Sequence, residues 1–438
     1  MLKQQPVIDE SIACPNCDLL LPRTETRKGF SRLCPRCGKK LSPRKSQSIK
    51  RCLALALAGI LLYFPAVLLP LISFEKLGFS GSANVVESIV NFYKNGYYFV
   101  AGMSFLSALL LPFLILLSSL LVSLGLYYNR RPSWLRFCFR SYLHLEEWAM
   151  LEVYLLAIMV TIIKMADSST VIYHIGVGIY AALVLIIIAI STAIDKEEFW
   201  SRLEEKAPDT PLPTQATTLS EQDSALDYGL IQCHTCHKLI PVSEDGKPCP
   251  RCLARLFKRI PGSRQKTWAL LIASLIFIVP ANILPIMEVR FLGTPEKSTI
   301  FDGILYFFQH GSALIGLVIF TASILVPLFK ILGIGILLLT SPPCALPLLR
   351  QKTALYRVII FIGRWSMLDV FVIALLISLV DFGFLSTVNA GPAATFFCMV
   401  VVLTMLAATT YDPRLMWDRC YRGKTPAPST PSNATKRQ

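Results

Sequence analysis

Charge is scarce in this chain of 438 residues: Asp, Glu, Lys and Arg together make 16%, against roughly 25% in an ordinary soluble protein. Hydrophobic residues fill 54%. That balance excludes a disordered chain, a collagen-like one and a small disulfide-stapled secreted domain. Acidic residues are the scarcer sign, 28 against 43 basic, for a formal charge of +15. In so apolar a chain that excess points to membrane topology rather than to nucleic acid. Histidine is rarer still, five in all, with no cluster inside an apolar run. No His-Glu-x-x-His, Gly-x-Ser-x-Gly or Walker motif occurs. A membrane enzyme and ATP hydrolysis by the usual route are therefore not expected. Nor is a cleavable signal peptide, because the chain opens on polar residues and a cysteine knuckle.

Cysteine is the exception to this scarcity. Of 13 cysteines, eight form four Cys-x-x-Cys knuckles: Cys14 with Cys17, Cys34 with Cys37, Cys233 with Cys236, and Cys249 with Cys252. Two knuckles a dozen or so residues apart supply four thiolates, which suits a closed tetrahedral zinc site. Such a site stabilises a fold too small to bury a core. Disulfides, a rubredoxin-like iron centre and a redox-active pair compete with zinc; disulfides are disfavoured if the segments face a reducing compartment. His234 and His237 read as bystanders. Cys52, Cys138, Cys344, Cys398 and Cys420 lack a pattern and read as packing residues.

Apolar runs near the 20 residues needed to cross a bilayer lie at 52–73, 97–126, 148–166 and 171–193, then at 267–287, 312–340, 357–380 and 388–410. Eight spans are expected. Basic residues alternate between loops: Arg44, Lys45, Lys50 and Arg51 before the first span, Arg130, Arg131, Arg136 and Arg140 after the second. Lys258, Arg259, Arg264 and Lys266 precede the fifth span, and Arg350, Lys352 and Arg357 lie near the start of the seventh. By the positive-inside rule both termini and both cysteine modules lie in the cytoplasm.

The chain is one unit written twice. Pro65 and Pro70 in the first span match Pro280 and Pro285 in the fifth, and Pro112 matches Pro327. Trp148-Ala-Met-Leu-Glu152-Val matches Trp365-Ser-Met-Leu-Asp369-Val. Asp195 and Trp200 match Asp412 and Trp417. With four spans each, the halves share one orientation, unlike inverted transporter repeats. The expected division is zinc ribbon 1 at 1–45, membrane repeat 1 at 46–205, and a linker at 206–228. Zinc ribbon 2 follows at 229–258, membrane repeat 2 at 259–422, and a disordered tail at 423–438. The fold class is all-α and polytopic, with two small β zinc ribbons.

This double pattern, with the Trp-x-Met-Leu-acid-Val motif, resembles the paraquat-inducible protein A family of Gram-negative inner-membrane proteins over nearly the whole chain. The resemblance implies a partner, a periplasmic protein of stacked MCE rings forming a tunnel, and a role in moving phospholipids between two membranes. None of this is read from composition or spacing.

Comparison of the halves singles out residues. Lys330 stands where the first repeat has Ile115, Ser323 where it has Ala108, Ser366 where it has Ala149, and Thr404 where it has Ile187. Asp369 alone has an ionisable counterpart, Glu152. A lysine inside a span costs at least ~2.5 kcal/mol on insertion scales, so it pairs or faces water. Lys330 and Asp369 are the expected pair, with Ser323, Ser366 and Thr404 as neighbours; a buried pair that only fixes helix register is the blander alternative. Asn282, between Pro280 and Pro285, reads equally as a cap for carbonyls freed by the kink or as part of a site. If the pair is functional, protonation of Asp369 couples a conformational step to the proton gradient. A zinc-ribbon redox or stress sensor without transport activity is the alternative function. Nucleic-acid binding through Arg36 and Arg251 is not expected, for want of interleaved aromatics.

Overall fold

The computed structural model describes residues 11–22, 32–41, 47–76, 79–146, 148–166, 170–204, 224–291, 294–309, 313–339, 345–379 and 386–421. The linker core and the tail expected from the sequence lie outside them.

In chain order, the first ribbon holds β1 (Ser11–Ala13), β2 (Leu20–Pro22), β3 (Arg32–Leu33) and β4 (Lys40–Leu41). The first repeat runs α1 (Ser48–Leu68), β5 (Ile72–Lys76), β6 (Phe79–Ala83), α2 (Val85–Lys94), α3 (Tyr98–Ser104) and α4 (Leu111–Tyr127). It continues with α5 (Ser133–Leu145), α6 (Leu151–Ala166), β7 (Thr170–Tyr173), α7 (Ile175–Ala193) and α8 (Lys196–Leu203). The second ribbon contributes β8 (Leu230–Gln232) and β9 (Leu239–Pro241). The second repeat then runs α9 (Ser263–Ile283), β10 (Met287–Phe291), β11 (Thr294–Ser298), α10 (Ile300–Gln309), α11 (Ala313–Phe320) and α12 (Val326–Leu339). It ends with α13 (Leu346–Gly363), α14 (Leu368–Leu379), β12 (Ser386–Ala390), α15 (Pro392–Thr410) and α16 (Arg414–Tyr421).

Among the described residues, seven helical stretches are long and apolar enough to cross a membrane. The eighth expected span, 148–166, is represented by α6, which begins only at Leu151 and is 16 residues long. Amphipathic α5 ends at Leu145, so the two are separate helices. The second repeat breaks at the equivalent place, where Arg364–Met367 tightens into a 3₁₀ turn between α13 and α14. In each repeat two helices thus meet in series at this point, and the shared spacing from tryptophan to acid sits at the joint.

Prolines shape the second spans in the same paired way. Proline lacks an N–H and clashes with the carbonyl four residues earlier. Ahead of Pro112 the helix widens into a π turn at Phe105–Leu110. Ahead of Pro327 it does so at Thr321–Leu325. Asn282 donates from Nδ2 to the carbonyl of Ile278 at 2.8 Å, so it serves the helix beside Pro280.

Each repeat also contains a small sheet that hydropathy alone does not announce. The segment after the first span forms a hairpin whose first strand also pairs with the strand entering the fourth span. The sheet orders are β6-β5-β7 and β11-β10-β12, all antiparallel. Met287-Glu-Val-Arg-Phe alternates apolar and polar residues as a strand does, and Pro295 is tolerated because β11 is an edge. The closing strands approach so tightly that a Cβ on Gly176 would lie 2.3 Å from the Pro70 carbonyl oxygen, and one on Gly391 2.1 Å from that of Pro285. At the opposite end Ser48 Oγ donates to the Ala193 carbonyl and accepts from Asp195 N–H. Ser263 does the same with Thr410 and Asp412. First and fourth spans are therefore pinned at both ends in both repeats.

The repeats meet through their third spans and through α2, which packs on α14. Tyr154 of α6 lies edge-on to Phe371 of α14, centroids 5.2 Å apart. The ribbons, by contrast, cross over. Ribbon 1 shares a core with Leu349, Met416 and Trp417 of the second repeat. Its Arg36 stacks over Trp417 at 4.8 Å, and Asp18 joins Arg259, which also grips Asp418. Ribbon 2 packs under the first repeat: Arg251 pairs with Glu197 and Glu204, Lys238 with Glu204, and Arg140 of α5 donates to the Leu253 carbonyl. The ribbons also hold each other, through Ala225 N–H to Asp18 O at 2.9 Å and Gln232 Nε2 to Ala13 O at 2.6 Å. Arg36 and Arg251 are both buried against the bundle, which leaves neither for nucleic acid.

Candidate metal centres and intramembrane site

Each knuckle is built by the same backbone turn. The N–H after its second cysteine returns to the carbonyl of the first: Asp18 to Cys14, Gly38 to Cys34, His237 to Cys233, Leu253 to Cys249. That residue must adopt a left-handed conformation, with φ of 60°, 71°, 58° and 61° respectively. Only Gly38 does so freely; the other side chains cost roughly 1–2 kcal/mol each. A branched leucine held there marks a backbone dictated by the cysteines rather than by local preference.

The turns aim eight thiols into two clusters, Cys14, Cys17, Cys34 and Cys37, and Cys233, Cys236, Cys249 and Cys252. All eight are buried, and within each cluster the sulfurs lie within 4.8 Å of one another. Cys14 and Cys37 are 3.5 Å apart at Sγ, Cys17 and Cys34 3.6 Å. Cys233 and Cys252 are 3.5 Å apart, Cys236 and Cys249 3.7 Å. A disulfide needs about 2.05 Å, and these cysteines are free. A tetrahedron with metal–sulfur bonds of about 2.3 Å has edges of about 3.8 Å. The donor sets therefore fit a four-coordinate metal ion with no open position. Neither His234 nor His237 belongs to a cluster; His234 faces Arg414 instead. Among the other cysteines, Cys52 is fully buried in the core of the first repeat, and Cys138 and Cys398 are free thiols. Cys420 packs in the core that ribbon 1 shares with the second repeat, as expected, and is also disulfide-bonded. Cys344 lies outside the described residues.

The intramembrane residues sit on adjoining elements of the second repeat. Ser323 lies in the π turn ahead of Pro327, and that turn packs on the 3₁₀ turn carrying Ser366 and on α14, which carries Asp369. Helix α15, which carries Thr404, packs on the same 3₁₀ turn and on α12, which carries Lys330. Lys330 is fully buried and its Nζ has no hydrogen-bond partner among the described residues. Ser366 is buried with its hydroxyl likewise unpartnered. Ser323 donates to the Ile319 carbonyl at 2.7 Å and Thr404 to that of Val401 at 3.0 Å. The Asp369 side chain lies outside the described residues. Gly333, one turn beyond Lys330, packs on Ile359, so Lys330 stands toward the ribbon end from the Ser323–Ser366 level. Ser48, Ser263 and the two ribbon arginines carry no motif of their own; only their spacing of 215 within the repeat marks them in the sequence.

Compared with known proteins, the chain is matched by the family model described as paraquat-inducible protein A over residues 49–204 and 264–421. It is similar to the lipophilic envelope-spanning tunnel protein A of Escherichia coli strain K12, 34% identical over 92% of this chain and 90% of that protein. It is similar also to the intermembrane transport protein PqiA of the same strain, 31% identical over 93% of this chain and 95% of the relative. A probable intermembrane transport protein of Haemophilus influenzae is 30% identical over 93% of this chain and 94% of its own length. No solved structure matches the chain.

Proposed function

The chain belongs to the paraquat-inducible protein A family, and from that premise we propose that it is an inner-membrane component of an intermembrane lipid transport system. In this reading it loads or unloads phospholipids at a periplasmic tunnel of MCE rings, with both termini and both ribbons in the cytoplasm. The carrying observation is end-to-end similarity to relatives named for intermembrane transport, over nine-tenths of both chains. The seven apolar helices agree with the setting.

Zinc is the metal proposed for the four-cysteine centres, in a structural role, because a closed thiolate set leaves no position for substrate or water. Burial of all eight thiols in the two clusters weighs against a primary role as oxidant sensor, since oxidation follows thiol exposure.

The working site proposed is Lys330, Asp369, Ser323, Ser366 and Thr404. An unpartnered ammonium in an apolar interior is costly unless a counter-charge or water reaches it. Proton binding at Asp369 would remove that counter-charge and shift the balance between two packings of the π turn against the 3₁₀ joint. Ser323 is well placed for this, because its carbonyl is the one that Pro327 cannot satisfy.

Purification from native membranes, with identification of bound lipid and of any attached periplasmic protein, tests the reading. A periplasmic ring protein and phospholipid in the purified complex support it. Capture of neither overturns it, and lipid transport unaffected by both Lys330→Ala and Asp369→Ala overturns the site.

A further inference from the structure

The first repeat carries its own polar cluster, displaced from that of the second. Tyr154 on α6 and Tyr180 on α7 are fully buried, their rings 5.6 Å apart. Tyr180 Oη has no hydrogen-bond partner among the described residues, and Tyr154 Oη makes none of good geometry there, with Ser88 its one near neighbour. Tyr154 faces Ser88 of α2, itself fully buried and already donating to the Asn84 carbonyl at 2.9 Å. Tyr63, within electrostatic range of Tyr180, donates to the carbonyl of Leu109, in the π turn, at 2.8 Å. Four elements of the repeat converge on this point, and Phe371 of the other repeat closes it.

The sister repeat shows that shape alone does not call for these hydroxyls. At the matching positions it has Ile278 for Tyr63, Gly303 for Ser88, Phe371 for Tyr154 and Phe397 for Tyr180. A phenylalanine thus fits where each unpartnered tyrosine stands. A buried hydroxyl left dry is destabilising, and native proteins pair nearly all of theirs with protein or ordered water. Two such hydroxyls side by side, with only a serine near one of them, point to an acceptor beyond the described residues.

We propose that the first repeat holds a second polar site, in which Tyr154 and Tyr180 donate to a bound oxygen: an ordered water or the ester carbonyl of a lipid's glycerol backbone. Both sources offer the same hydrogen-bond-accepting oxygen. The site stands on burial and on the fate of the two hydroxyls, whereas the ester source also rests on the transport reading above. The two repeats would then divide the polar work, a cation site in one and a hydroxyl site in the other, on either side of the contact between third spans.

The test uses the full chain in nanodiscs of phosphatidylethanolamine and phosphatidylglycerol. Tyr154→Phe, Tyr180→Phe and the double variant are compared with the parent protein for Tm and for phospholipid retained after delipidation, counted by native mass spectrometry. Metal content of the ribbons checks that each variant is folded. A fall in Tm with unchanged lipid retention supports the site and assigns water. A fall in Tm with lipid retention weakened about fivefold per lost bond supports it and assigns the ester oxygen. A Tm that is unchanged or higher in both single variants overturns the proposal, whether or not lipid is retained, because the hydroxyls were then dry packing atoms.

Discussion

The two repeats share a scaffold and differ in what they bury. Both pin their first and fourth spans by one serine at the ribbon end and by a glycine-tight strand at the other. Both widen into a π turn before the same proline, and both join two helices in series beside the same tryptophan. Within this common frame the second repeat buries Lys330, Ser323, Ser366 and Thr404 where the first has hydrocarbon or alanine. The first buries Tyr63, Ser88, Tyr154 and Tyr180 where the second has Ile278, Gly303, Phe371 and Phe397. Duplication thus kept the bundle geometry and let the polar interior diverge. Because the ribbons cross, each repeat is also braced by the other's metal module, which ties the two divergent interiors into one body.

The largest expected effect tests that crossing. Structural zinc contributes on the order of 10 kcal/mol or more to small modules, so loss of one centre unfolds its ribbon. Cys14→Ser should loosen α13 and α16 of the second repeat, while Cys233→Ser should loosen α5 and α8 of the first. Hydrogen–deuterium exchange resolves these segments directly. Loosening of each ribbon's own repeat, rather than the opposite one, would refute the crossed bracing.

Trp417 and Trp200 sharpen the same comparison at lower amplitude. Both are buried to 1% exposure at equivalent positions, one under Arg36 and the other in a cluster with Phe139. Either substitution to alanine should cost about 3–5 kcal/mol. Trp417→Ala should in addition free ribbon 1, read as faster metal release to a chelator from that centre alone.

Lys330 separates use from architecture. Replacing a buried ion pair by apolar residues of similar size is often neutral or stabilising, whereas removing one partner alone is costly. The double variant Lys330→Met, Asp369→Leu should therefore hold or slightly raise Tm while abolishing lipid transport. The reciprocal Ile115→Lys in the first repeat should destabilise by about 2–3 kcal/mol, read as a fall in Tm, since no site was built there. Lost stability in the double variant would make the pair a register pin instead.

Much of this was legible because the chemistry is periodic or duplicated. Cys-x-x-Cys pairs announced the two four-cysteine clusters, long apolar runs the spans, and the offset of 215 the second repeat. What escaped depends on distances that no local pattern encodes. The crossing of Arg36 to Trp417 joins residues nearly the whole chain apart. The three-stranded sheets require pairing between β5 and β7, some 100 residues distant, and the alternation in Met287–Phe291 is only five residues long and starts where an apolar run ends. The third span was placed correctly but begins at Leu151 rather than at 148, because hydropathy alone does not mark where its first turn starts. Tyr154 and Tyr180 read as ordinary aromatic residues until the fate of their hydroxyls could be followed.

The smallest effect concerns how the last helix of each repeat is hooked on. Asp195 accepts from the N–H groups of Glu197 and Glu198 at 3.1 and 3.2 Å, a cap of ordinary kind. Asp412 accepts the equivalent bond from Arg414 N–H at 3.1 Å and in addition grips the Arg414 guanidinium through both carboxylate oxygens, at 3.0 and 2.9 Å, with Ile260 N–H as a further donor. Burial alone would raise the Asp412 pKa, but the Arg414 bonds and charge outweigh it and hold the carboxyl below its usual value. A depressed folded-state pKa contributes stability that is complete above the unfolded value near 3.9 and drains away as pH falls through the folded one. Acidification below about pH 4 should therefore unhook α16, seen as Trp417 exposure, before it disturbs Trp200 at the end of α8. In Asp412→Asn, the Trp417 signal should already be partly exposed at neutral pH and should lose its acid transition. An unchanged transition would mean that another carboxylate carries it, and the two helix hooks would then be alike.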